Sequence, residues 1–115
     1  MKKEVIQELY NGFEAVAVEV EGIECWSARK LQLLLGYSKW ENFSKVIDKA
    51  KIACENARSL VSDHFPDVRK MVNLGSGSER EIDDILLTRY GCYLIAQNGD
   101  PRKEKLLTFL WKVIT

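Results

Sequence analysis

Residues 25–54 read CWSARKLQLLLGYSKWENFSKVIDKAKIAC, which puts the end of an apolar strand, two amphipathic helices and most of one basic patch in a single stretch. Ser27 has the short hydroxyl side chain that caps a helix N-terminus. The pattern predicts a short helix over residues 28–35, closed by Gly36 at its C-terminal end. Ser38 is expected to cap a second helix. There Trp40, Phe43, Ile47, Ala50 and Cys54 fall at alternating three- and four-residue steps and make one apolar stripe. Lys45 and Lys49 lie four apart on a different face, one turn beyond Glu41. A solvated helix face with i, i+4 ion pairing accounts for such a pair, at a few tenths of a kcal/mol; a phosphate-binding face is the sharper reading.

Charge extends the picture outward. Between Ser27 and Lys51 there are six cations (Arg29, Lys30, Lys39, Lys45, Lys49, Lys51) and two acids (Glu41, Asp48), yet the chain is formally neutral. Residues 1–26 carry two cations and six acids, residues 52–88 four and seven, and residues 89–115 five and two. The neutral total hides two basic and two acidic segments, and a phosphate backbone or an acidic partner would feel the segments rather than the sum.

Before this stretch, Val5, Ile6 and Leu9 give a weak helical period that is expected to stop at Asn11-Gly12. Residues 13–20 are rich in β-branched side chains and read as a strand, followed by a Glu21-Gly22 turn and a second strand at residues 23–26, a small hairpin. After it, residues 63–66 read as a turn, residues 68–74 as a strand and residues 80–87 as its partner, with Gly75-Ser76-Gly77-Ser78 as the hairpin tip. Thr88 is expected to cap a helix over residues 89–97 that ends at Asn98-Gly99, and Asp100-Pro101 to start the last helix with Pro101 in its first position. The order is hairpin, helices, hairpin, helices: an α+β class, with two β-hairpins and four to five helices in one small domain spanning residues 1–115.

At 115 residues the chain suits one domain, and its 46% apolar and 30% charged composition is that of a folded globular protein. No apolar run is long enough to cross a bilayer, and the N-terminus has no secretory h-region. Cys25, Cys54 and Cys92 are odd in number and widely spaced, which predicts reduced, buried thiols in a cytoplasmic setting.

Catalytic motifs are weak. The Gly-Ser tip lacks the lysine followed by Ser or Thr that a phosphate loop needs. His64, the single histidine, and Cys54 do not make a zinc set. Glu79, Glu81, Asp83 and Asp84 are the one acidic group that could gather around magnesium, and a solvated strand face explains them as well. No catalytic residue, metal or cofactor is assigned.

Several segments together resemble a known family. Residues 26–54, then HFPDVRKMVNLGSGSEREIDDILLTRYGCYLIAQNGDPRK at residues 64–103, are similar to the N-terminal domain of the bacterial DNA-damage-inducible protein D family. More distantly they resemble the BRO-N domains of baculovirus repeated proteins and phage antirepressors. The resemblance covers about residues 20–103. Past Lys103 the family continues with an alanine-rich helix and a long further region, whereas this chain has an atypical C-terminal helix at residues 104–115 and reads as a truncated or frame-altered member. The resemblance implies a BRO-N-like fold and a non-enzymatic role in the SOS response to DNA damage. It also implies DNA, single- or double-stranded, or RecA filaments on DNA as partners.

The residues themselves support two binding readings. In the first, Arg29, Lys30, Lys39, Lys45, Lys49, Arg102, Lys103 and Lys105 hold backbone phosphates, with steep salt dependence as the signature. Tyr37, Trp40 and Phe43 could stack on bases, although the last two lie on the apolar stripe. The alternative is a protein-interaction or dimerisation module, or a remnant without DNA binding. Leu106, Leu107, Phe109, Leu110, Trp111, Val113 and Ile114 occupy nearly every direction of the last helix and would bury against a second copy in a homodimer. A metal-dependent nuclease, resting on the four acids, comes last.

Overall fold

The computed structural model describes residues 3–114, except for the side chains of residues 5, 104, 107 and 114. Its elements in chain order are α1 (Lys3–Val16), β1 (Ala17–Val20), β2 (Ile23–Ser27), α2 (Ala28–Leu34) and α3 (Trp40–Asn56). A single helical turn, α4 (Val61–His64), leads to β3 (Asp67–Asn73), β4 (Glu79–Thr88), α5 (Arg89–Asn98) and α6 (Glu104–Ile114). The class is α+β as expected. The two hairpins are present and are joined by antiparallel pairing of β2 with β4, Trp26 opposite Leu87, into one sheet ordered β1-β2-β4-β3. Among the described residues there are six helices; the one not foreseen is α4, where a turn was expected.

Two of the three predicted hydroxyl caps, Ser27 and Thr88, are in place. Ser27 Oγ accepts from the Lys30 N–H and Thr88 Oγ1 from the Gly91 N–H. Gly36 follows α2 with φ +84°, the left-handed geometry that closes a helix without a Cβ clash.

Three boundaries differ from the sequence expectation. First, α1 runs through Asn11-Gly12 to Val16, so the strand expected from residue 13 begins only at Ala17. The helical turn puts Phe13 wholly in the core, 4.7 Å from the Phe109 ring, and the Trp26 indole N–H donates to the Phe13 carbonyl at 2.9 Å. Burying a phenylalanine is worth roughly 2–3 kcal/mol, more than the ~1 kcal/mol cost of a glycine inside a helix. Second, Lys39 and not Ser38 precedes α3, with no side-chain cap; Glu41 in the first turn complements the helix dipole instead. Third, Pro101 lies outside α6. Asp100 Oδ1 accepts from the Arg102 N–H and the Asp100 carbonyl from the Lys103 N–H, so residues 100–103 form a turn with proline at its second position.

The core is a single cluster dominated by Phe13, Trp26, Leu31, Phe43, Phe65 and Phe109. α6 belongs to it. Leu106, Phe109 and Val113 are buried against α1 and α5, and Phe109 meets Trp26 edge-on at 6.3 Å.

Candidate nucleic-acid interface

Two turns that are distant in sequence are fastened together at one corner of the molecule. Lys103 Nζ donates to the Gly36 carbonyl at 2.8 Å and lies 4.7 Å from the centre of the Tyr37 ring. The Tyr37 hydroxyl accepts from the Asp100 N–H at 3.1 Å. From Tyr37 a line of rings continues to Phe43 at 5.1 Å and to Trp40 at 6.1 Å, and the Arg29 guanidinium lies over Trp40 at 4.2 Å. Cation–ring contacts of this kind are worth about 0.5–1 kcal/mol at exposed sites. The row Arg29–Trp40–Phe43–Tyr37–Lys103 thus ties the basic segment at residues 27–51 to the basic segment at the C-terminal end.

The eight predicted cations divide by what they touch. Arg29 donates from Nε to the Asp83 carbonyl at 2.6 Å, Lys103 is held as described, and Arg102 makes a two-point pair with Asp100 at 3.0 Å. These three brace the corner. Lys30, Lys39, Lys45, Lys49 and Lys105 are exposed and make no ion pair among the described residues. The pairing of Lys45 with Glu41 that a bland helix face would show is not formed. Helical geometry puts Lys45 and Lys49 on one flank of the α3 solvent face with Asn42 and Asn56, while Glu41, Asp48 and Glu55 line the other flank. Phe43 and Tyr37 are buried and cannot stack on bases; Trp40 is half-buried, with Arg29 on its face.

The four acids do not gather. Strand alternation turns Glu79, Glu81 and Asp83 to one face of β4, where Arg69 pairs with Glu81 at 3.3 Å and Asp83 at 4.0 Å, and Asp84 to the other. Asp84 is buried: its Oδ1 accepts from the Arg29 and Ile85 N–H groups at 3.1 and 2.8 Å, and its Oδ2 from the Ser27 hydroxyl. Among the described residues no three His, Cys, Asp or Glu side chains come together as a metal site. That removes the geometric basis of the nuclease reading. The Gly-Ser stretch is a hairpin tip closed by the Leu74 N–H on the Ser78 carbonyl. His64 Nδ1 is 2.8 Å from Thr88 Oγ1 and its ring stands edge-on to Tyr90, so it serves the packing of α4 on α5. All three cysteines are free and buried, and burial pushes the Cys92 thiol well above its ordinary pKa.

The self-association residues are placed differently from the expectation behind them. Leu106, Phe109 and Val113 are inside the chain's own core and Leu110 is half-buried, so their apolar surface needs no second copy. Trp111 is 60% exposed. The side chains of Leu107 and Ile114 lie outside the described residues.

Sequence reading missed Arg89. Its guanidinium pairs with Glu24 at 2.7 Å and donates to the carbonyls of Lys112 and Val113 at 3.2 and 3.0 Å, capping the end of α6 and holding it against β2. A signal existed: a cation in the first turn of α5 opposes the helix dipole and needs another reason to be there.

The sequence profile of the BRO family, N-terminal domain, matches residues 15–109. The chain is similar to DNA damage-inducible protein D of Escherichia coli (strain K12), 46% identical over 99 residues that cover 85% of this chain and 36% of that protein. It therefore matches little more than a third of the relative's length. No solved structure matches the chain.

Proposed function

This chain belongs to the BRO family, N-terminal domain, and we propose that it acts in the response to DNA damage by holding nucleic-acid phosphates, with no chemistry of its own. The observation that carries this reading is the corner where Lys103 meets Gly36 and Tyr37: it joins two basic segments and leaves Lys39 and Lys105 exposed and unpaired beside the braced cations. Rigid bracing by Arg29, Lys103 and the Arg102–Asp100 pair holds the backbone that presents those lysines, so less ordering entropy opposes binding. The similarity to DNA damage-inducible protein D supports the cellular context. Membership of the BRO family supports DNA as the partner.

The test is a fluorescence-anisotropy titration of labelled DNA with the wild type and a Lys39→Glu/Lys105→Glu variant. The variant is expected to bind roughly tenfold more weakly at low salt while keeping its unfolding midpoint. Equal affinities would contradict the assignment of the corner. The finer reading is a recombinase filament, such as RecA on single-stranded DNA, as the target. Adding RecA to the titration is then expected to give a ternary complex, and displacement of the protein by the filament would contradict that finer reading alone.

A further inference from the structure

The β3–β4 ribbon sorts its charges by face. The register pairs Asp67 with Ile85, Arg69 with Asp83, Met71 with Glu81 and Asn73 with Glu79 on one side, and Val68 with Asp84, Lys70 with Ile82 and Val72 with Arg80 on the other. The first side carries four carboxylates (Asp67, Glu79, Glu81, Asp83) against Arg69, whose guanidinium is already paired with two of them. The second side carries Lys70 and Arg80, and its single acid, Asp84, is buried and occupied by its three donors. Neither Lys70 nor Arg80 makes an ion pair among the described residues.

The basic side is the inner one. Asp84 points at the N-terminus of α2, where Arg29 and Lys30 stand, so Lys70 and Arg80 share the side of the ribbon that faces the Arg29–Trp40 end of the candidate interface. β3 packs against β4 and against no other element to a comparable extent; Val68, Lys70, Val72 and Ile82 are half-buried and Arg80 is exposed, so the body of the domain covers this face only in part. At the tip, Gly75 and Gly77 have open space around the position of a Cβ, and nothing bulky blocks the end of the ribbon.

We propose that the inner face of the β3–β4 ribbon lies in the major groove of a nucleic-acid duplex, as a second arm beside the lysine corner. This rests on the nucleic-acid reading above and adds the form bound. A two-stranded antiparallel ribbon fits the major groove of B-DNA, about 12 Å wide and 8.5 Å deep. Five residues of strand beyond Val68 reach roughly 17 Å at 3.3–3.4 Å each, enough to enter it. In that pose Lys70 and Arg80 meet phosphates or guanine edges, Val72 and Ile82 offer apolar contact to thymine methyls, and the acidic face is turned to solvent, away from the phosphates. The sorting of charge selects this partner over a basic peptide, which would seat on the opposite face.

Two charge-matched variants of adjacent residues test it in the full chain. Lys70→Glu and Arg69→Glu change net charge equally, on opposite faces of the same strand. With a labelled duplex of about 20 base pairs, Lys70→Glu is expected to weaken binding about tenfold, and Arg69→Glu by less than about threefold. With the corresponding single strand the two variants should differ little. Circular dichroism and the unfolding midpoint confirm that each variant is folded. If the wild type binds duplex and the corner variant weakens it, but Lys70→Glu and Arg69→Glu behave alike, the ribbon assignment is overturned and the corner assignment stands. If the wild type binds neither duplex nor single strand, both fall.

Discussion

Asp84 holds the N-terminus of α2 by accepting from the Arg29 N–H, while the Ser27 hydroxyl bridges it to the Lys30 N–H. Asp84→Ala strips buried donors of their acceptor and is expected to destabilise the fold by about 2–4 kcal/mol in urea unfolding, because unsatisfied buried groups cost more than a lost bond. A loss below about 0.5 kcal/mol would show that water replaces the carboxylate. Asp100 makes a prediction in pH. Hydrogen bonds from the Arg102 side chain, and then from its backbone N–H, hold the Asp100 carboxyl down at about 2, from an ordinary 3.8. A depressed folded pKa means that the stabilisation of the residue 100–103 turn is complete above about pH 4 and is lost as pH falls through about 2. NMR titration of the Asp100 carboxyl should give a midpoint near 2 that returns to the ordinary range in Arg102→Ala; a wild-type midpoint near 4 would contradict the pairing. Single residues were unevenly legible. Ser27, Thr88 and Gly36 announce their roles, because caps act on a backbone two or three positions away. Asp84 and Arg89 do not, because their partners lie far off in sequence and a neighbour in the chain, Asp83 or Tyr90, faces elsewhere.

Among the elements, α3 was the most legible and also carries a test. Phe43, Ile47, Ala50 and Cys54 are buried as the stripe requires, with Val46 beside them. Lys45→Glu with Lys49→Glu changes the charge of one α3 flank by four. It is expected to weaken DNA binding at low salt by about tenfold or more, while the unfolding midpoint stays within a degree or two, since neither lysine touches the core. Unchanged affinity would remove this flank from the interface. Element ends were less legible than elements. Asn11-Gly12 is a local breaker overridden by the tertiary demand for Phe13, and the span of α1 cannot be read without knowing that Phe109 and Trp26 wait for that ring. The last helix, α6, was only partly legible for a related reason. Its apolar residues do point several ways; α1 and α5 of the same chain pack on it and Leu106, Phe109 and Val113 are buried, while Trp111 stays exposed.

At the scale of the molecule, a neutral chain becomes a surface with direction. The radius of gyration, 14.3 Å, exceeds the roughly 13 Å of a compact domain of this length, in keeping with a ribbon that extends from the body. The sequence counts already separated basic from acidic segments. What they could not supply was the fold that clasps residues 36–40 to residues 100–105 and splits the β3–β4 ribbon into an acidic and a basic face, since both depend on register and tertiary contact. Phosphate recognition by these grouped cations underlies both the corner and the ribbon. It is tested most directly by measuring the affinity of the wild-type chain for duplex DNA across a salt series from about 50 to 200 mM. Neutralising about six phosphates, by Lys39, Lys45, Lys49, Lys105, Lys70 and Arg80, predicts a straight log–log plot with a slope of about −5.4. No binding at the lowest salt, or a binding constant that does not change with salt, would contradict it.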